Sequence, residues 1–283
     1  MELTARPDDR WRSPRFGELR LVRDDVSGIA RLLYRVMGVA DPAHYLHHLY
    51  VKRGLALAGS IRPAAILDAG CGAGDHAVWL ARHFADASVL GVDIDQTRIA
   101  ASRASSSRMR FGNLRFEVAD LARLDMQDAV DLVVSVDVLE HIVEQRTALR
   151  QLYLALRPGG SAVLHVPTKR ERAVPLSRRL HDFHEWASHE HVAEDATADE
   201  FIQRVREAGF DVRASLRTFG YWTGELATSL FALAYKDSTL NRVFQACLAP
   251  LGRILVLLDP ILPQRTRYGV LVVASRPRQE QPI

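Results

Sequence analysis

Hydrophobic and polar positions along this chain alternate between two periods. Ala64 to Leu67 are apolar and read as the end of a buried strand, and Ala77, Leu80, Ala81 and Phe84 then recur at helical spacing. Between them stand Gly70, Gly72 and Gly74, separated by single residues, with Asp75 where a helix N-cap is expected. The pattern predicts a strand, a glycine-rich turn and a helix. It then repeats. Ser88 to Val92 form a short apolar strand that closes on Asp93, and Asp95 to Met109 form a helix diluted by Ser105, Ser106 and Ser107. Leu114 to Val118 alternate and close on Asp120. Val130 to Val136 (V-D-L-V-V-S-V) is an almost unbroken β-branched run, as expected of a strand buried on both faces. Leu149, Leu152 and Leu156 mark a helix that Arg157-Pro158-Gly159-Gly160 stops, and Ser161 to Val166 follow as a fifth strand.

The flanks read differently. Residues 1–24 are rich in Arg, Asp and Pro and poor in apolar side chains, which predicts an arm. Ile29, Leu33, Val36 and Met37 share one helical face that Gly38 ends. Asp41-Pro42 suits the start of a second helix, with Tyr45, Leu46 and Leu49 inward, running to Gly54 or Gly59. Its His44, His47 and His48 read as solvated or paired with helix ends; a substrate-facing role is the alternative. Pro167 to Leu180 form a basic loop, read as solvated surface or as a contact for an anionic substrate or headgroup. His181, His184, His189 and His191 crowd the segment after it. Thr197 and Glu200 predict a capping box opening a helix that Gly209 ends. Phe210 to Phe219 and Gly269 to Ser275 read as the last two strands. The stretch 221–266 between them far exceeds a hairpin loop of about 2–5 residues. Leu226 to Tyr235 and Leu248 to Leu262 make it apolar, and Pro250, Pro260 and Pro263 break it. Helices packed on the domain, a lipophilic pocket, a dimer face or a membrane-surface contact all fit this insert. The resulting division is 1–60 for arm and helical cap, 61–220 for an α/β core, 221–266 for the insert, and 267–283 for the last strand and tail.

Composition narrows the partners. A chain of 283 residues with 48% hydrophobic and 25% charged residues is of ordinary globular type, and a net charge of +3 is too small to argue for nucleic acid. Cys71 and Cys247 are the two cysteines. One lies in the glycine turn, so a reducing, cytoplasmic setting is expected rather than a structural disulfide. The first ten residues hold no apolar run of signal-peptide type, and no run reaches the roughly 18 apolar residues of a membrane span.

The chemistry lies in the turn and the strand ends. Gly72, Gly74 and Ala77 fit the dinucleotide pattern G-x-G-x-x-A, and Asp93 stands about 20 residues on, where an acid accepts hydrogen bonds from ribose hydroxyls. The fuller pattern Asp68-x-Gly70-Cys71-Gly72-x-Gly74, followed by Asp93, Asp120, the apolar strand and L-R-P-G-G, resembles the class I S-adenosylmethionine (SAM) methyltransferases, of the group that includes ubiquinone-pathway and natural-product enzymes. The resemblance covers residues 64–167. It implies a seven-stranded, mostly parallel sheet with helices on both faces, and SAM as cofactor. It places Asp68, Gly70, Cys71, Gly72, Gly74, Asp93, Ile94, Asp120, Leu121 and Val136 around that cofactor. Asp93 would hold the ribose, Asp120 the adenine amino group, and Leu121 the ring; Asp120 as a plain N-cap is the alternative.

The implied reaction is in-line methyl transfer to a small, lipophilic or aromatic hydroxyl acceptor, helped by a general base. His141 is the candidate base, with His184 and His189 after it. Asp137, Glu140 and His141 also resemble a metal-assisted O-methyltransferase cluster, with Asp137 shorter than the Glu usual there. An NAD-dependent oxidoreductase and a non-catalytic protein of the same fold are further readings.

Overall fold

The computed structural model describes residues 42–168, 196–220 and 267–278, with Phe16, Leu19, Gly28 and Ile254 besides. The helix expected over residues 26–37 apart from Gly28, the basic loop from Lys169 on, His184 and His189, and the 221–266 insert apart from Ile254 lie outside the described residues. Helix α1 (Pro42–Leu57) leads into β1 (Ala65–Ala69), α2 (Asp75–His83), β2 (Ser88–Asp93), α3 (Gln96–Met109), β3 (Leu114–Val118) and β4 (Val130–Val136). Then come α4 (Gln145–Ala155), β5 (Leu156–Pro167), α5 (Ala198–Glu207), β6 (Asp211–Gly220) and β7 (Arg267–Ser275).

The strands form one seven-stranded sheet in the order β3-β2-β1-β4-β5-β7-β6. β1 to β5 run parallel, and β7 runs antiparallel to both of its neighbours. Successive strand residues point to opposite faces, and both faces are apolar. Leu67, Val133, Leu164 and Val272 face a cluster closed by Leu149 and Leu152 of α4 and by Phe201 and Val205 of α5. Ile66, Leu132, Val163 and Leu271 face a second cluster closed by Val51 of α1, Val78 and Leu80 of α2, and Ile99 of α3. Each such fully buried side chain contributes about 1.5–3 kcal/mol of hydrophobic stabilisation. The strand order reverses between β1 and β4, so the C-terminal ends of β1, β2, β3 and β4 open on a crevice between their loops.

Several local expectations are corrected. Of the two ends expected for α1, Gly54 is passed and the helix stops at Leu57, just before Gly59; at Gly54 it comes down on the sheet, where a Cβ would lie 2.7 Å from the Val163 side chain and 3.0 Å from that of Leu271. His47 and His48 are buried, not solvated, since α1 covers the sheet instead of standing off it. The N-cap of α2 is Gly74, at φ 82°, with Asp75 the first helical residue. β5 begins at Leu156, five residues earlier than the periodicity predicts. The Pro158-Gly159-Gly160 stretch stays in the ladder because Gly159 N–H donates to Arg276 O at 2.8 Å and Arg276 N–H returns to Gly160 O at 2.9 Å.

Candidate cofactor and active site

The glycine turn between β1 and α2 is built on left-handed backbone. Gly70, Gly72 and Gly74 have φ of 78°, 52° and 82°, values that L side chains rarely adopt. Gly70 N–H and Cys71 N–H both donate to Val92 O at 2.8 Å, which ties the turn to the end of β2. A Cβ on Gly72 would meet nothing within 4 Å, so at this point the backbone faces open space.

Asp93 closes β2 beside it. Its Oδ2 accepts Gly72 N–H at 2.8 Å and its Oδ1 accepts Asp95 N–H at 2.9 Å, leaving the outer lone pairs of a fixed carboxylate toward the crevice. Asp120 closes β3. It accepts Ala122 N–H at 2.9 Å and so caps the single 3-10 turn Leu121–Arg123, while also facing the crevice. The capping and site-facing alternatives coexist in this one residue.

These elements surround a cavity of about 800 Å³, within the size range of cofactor sites. Gly70, Cys71 and Gly72 line it from the turn, Asp93, Ile94, Asp120 and Leu121 from the ends of β2 and β3, and Val136 and His141 from β4 and beyond. Asp68 and Gly74 do not line it. Asp68 lies beneath the turn, buried, where the Ala77 N–H bonds it. Burial, reinforced by the charges of Asp93 and Asp75, pushes its carboxyl up to about 7.

The other end of the cavity holds a group that the sequence does not assemble. Asp137 follows β4 at φ 53° and lines the cavity. Its N–H donates to His165 O at 3.0 Å. His47 Nε2 of α1 stands 2.8 Å from Asp137 Oδ2, and His165 Nδ1 of β5 stands 2.6 Å from Asp137 Oδ1. His165 Nε2 continues to Thr218 Oγ1 of β6 at 2.8 Å. Burial alone would raise the Asp137 carboxyl; the two imidazoles outweigh it and hold the group well below the usual carboxylate range. The Glu140 carboxyl, one turn on, is pushed well above the usual carboxylate range by burial and then by the Asp137 charge. His165 carried a signal in the sequence, being the one polar side chain in the run Ala162 to Val166 of β5. His47 was visible as a residue but not as a partner of Asp137.

Among the described residues, no group of three or more His, Cys, Asp or Glu is placed to hold a metal ion. Both Asp137 oxygens are taken by imidazoles, and Glu140 Oε2 is buried without a hydrogen-bond partner. Asp137, Glu140 and His141 form no such group among the described residues.

Residues 66–160 match the family described as "Methyltransferase domain". Over these residues the chain is similar to the SAM-dependent methyltransferases, in keeping with the class I resemblance of its motifs. The chain is 34% identical over 109 residues to trans-aconitate 2-methyltransferase of Variovorax paradoxus (strain S110), covering 38% of this chain and 40% of that protein. It is 32% identical over 162 residues to O-methyltransferase cnsE of Penicillium expansum, covering 54% and 56%. The chain thus spans about half the length of the curated relatives it matches. Among solved structures, phosphoethanolamine N-methyltransferase 2 of Haemonchus contortus, bound to SAM, superposes with a TM-score of 0.59 at 15% identity, covering 90% of this chain and 61% of that one. The [4+2]-cyclase SpnF superposes with a TM-score of 0.52 at 17% identity over 81% of each chain. These structural likenesses establish the methyltransferase fold, which by itself does not decide the chemistry. No helix among the described residues is long and apolar enough to cross a membrane.

Proposed function

We propose that this protein transfers the methyl group of SAM to a hydroxyl on a small-molecule acceptor. The observation that carries the reading is Asp93: a carboxylate pinned by Gly72 N–H and Asp95 N–H, facing the crevice that the left-handed turn opens. The site fits the cofactor. The turn is open at Gly72, where a bound ligand needs close approach, and the cavity has the volume of a nucleoside site. Asp93 would hold the ribose hydroxyls, and Asp120, Leu121 and Ile94 the adenine. Gly70, Cys71 and Val136 would flank the remainder. Asp68 would act from below, by bonding the first turn of α2 and so fixing the loop.

When bound, SAM supplies an electrophilic methyl group. The chain's own part is then alignment, exclusion of water and management of the acceptor proton. Orientation of this kind lowers barriers by about 7–11 kcal/mol in well-aligned systems. His141, on the cavity wall, is one candidate for the base. The trans-aconitate, cnsE and phosphoethanolamine relatives span different acceptors, so the acceptor is identified by screening.

Calorimetric titration with S-adenosylhomocysteine (SAH) tests the reading. Wild-type protein binds, and Asp93→Ala weakens binding by about 10- to 100-fold, the loss expected when charge-assisted hydrogen bonds disappear. SAH production with a panel of phenols, carboxylic acids and amino alcohols then names the acceptor. Absence of any binding heat from either SAM or SAH would sink the proposal.

A further inference from the structure

On the reading of this core as a methyltransferase, we propose that His47 is its general base, that Asp137 is the positioning residue that orients His47, and that His165 and Thr218 hold Asp137 in turn. The inference starts from four side chains on four separate elements. His47 comes from α1, Asp137 from the end of β4, His165 from β5 and Thr218 from β6. They meet in one chain of contacts, 2.8, 2.6 and 2.8 Å long. Of the four, His47 and Asp137 line the cavity, whereas His165 is buried at 1% exposure and Thr218 at 0%.

The contacts define the protons. Asp137 is ionised and has only acceptor atoms, so the nitrogens that face it, His47 Nε2 and His165 Nδ1, each carry hydrogen. In neutral His47 the lone pair then lies on Nδ1. A carboxylate that fixes an imidazole tautomer and stabilises the imidazolium once formed is the arrangement by which a histidine becomes an effective base. The acceptor O–H bond breaks with its electron pair left on oxygen. The proton passes to His47 Nδ1, and the new imidazolium is balanced by Asp137. The proton returns to solvent after turnover.

The surroundings hold this geometry in place. Phe219 packs on His47 with ring centroids 4.6 Å apart, and Tyr50 Oη accepts Phe219 N–H at 3.1 Å, which docks α1 over the strand ends. A Cβ on Gly269 would stand 2.5 Å from Thr218 Oγ1 and 3.1 Å from His165 Nε2, so glycine there leaves room for the His165–Thr218 contact. Asp137 itself adopts left-handed backbone, uncommon for a residue other than glycine, and is retained there by His165 O. Glu140 stands 3.7 Å from His141 Nε2 and burial pushes its carboxyl well up, whereas Asp137 has an imidazole at each oxygen. Among the described residues, Asp137 and, behind it, His165 are titratable groups that face His47, and Glu140 stands beyond Asp137.

The test is nitrogen NMR of protein labelled at histidine, with saturating SAH. His47 is assigned by its through-space contacts to the Phe219 ring, so the wild-type protein suffices. The expected result is a neutral form with hydrogen on Nε2 that gives way to the imidazolium, with a defined midpoint, as pH falls. Asp137→Asn is expected to lower that midpoint by about one unit or more. A neutral form with hydrogen on Nδ1, or no titration of His47 from pH 5 to 9, overturns the proposal without need of an acceptor. With the acceptor found by screening, His47→Gln lowers kcat by about 10²- to 10⁴-fold and removes the acid limb of the pH profile, while SAH affinity stays within threefold. An unchanged kcat in that variant refutes the role. Failure of wild-type protein to bind SAH refutes the methyltransferase reading instead, so the two are told apart.

Discussion

Replacing Asp68 by Asn removes a buried charge from beneath the glycine turn, and its effect on stability depends on pH in a defined sense. Asp68 is 2% exposed; burial, with Asp93 and Asp75 nearby, raises its carboxyl from 3.8 to about 7, although the Ala77 N–H partly offsets this. In the unfolded chain the group releases its proton near its ordinary value; in the folded chain it keeps the proton to about 7. Between these two values the folded state binds more protons than the unfolded one. The stabilising contribution is therefore complete below the unfolded value, declines as pH rises, and is lost above about 7. Each unit corresponds to 1.36 kcal/mol, so between pH 5 and pH 8 wild-type protein loses about 3 kcal/mol relative to Asp68→Asn. The amide introduces a pH-independent offset, because one of its polar atoms takes the place of Asp68 Oδ2, which has no hydrogen-bond partner. That offset is about 1–3 kcal/mol. The informative quantity is thus the change with pH of the difference between the two proteins, measured by urea unfolding at pH 5, 6, 7 and 8. A difference that stays constant across that range would refute the buried, proton-holding role assigned to Asp68.

Two further substitutions test the framework. Gly70→Ala places a Cβ 2.3 to 2.8 Å from the Val138 side chain at a backbone φ of 78°. Left-handed strain and overpacking together cost about 2–5 kcal/mol, read by chemical denaturation, and adding Val138→Ala restores only the packing part. Tyr50→Phe leaves the buried Phe219 N–H without its 3.1 Å acceptor. The expected loss is about 1–3 kcal/mol in the same assay; an unchanged unfolding midpoint would count against the docking of α1 described above.

Much of this protein was legible in its sequence. Alternation of period 2 and period 3.6 located β1 to β4 and α2 to α5, since strand and helix burial depend on local spacing. Gly70, Gly72 and Gly74 announced a left-handed turn because few other residues tolerate it, and Asp93, singled out by its distance from that turn, bonds it through Gly72 N–H. The start of β5 was misplaced because the ladder over Gly159 and Gly160 is completed by Arg276, far along the chain. The same reason hid the active end of the cavity. His47, Asp137, His165 and Thr218 lie up to 171 positions apart, and no periodicity links them. Spacing along the chain determined the elements and the cofactor turn; which histidine meets which carboxylate was decided only when α1 packed across the ends of β4, β5 and β6, because hydrogen bonds act over about 3 Å of space regardless of sequence separation.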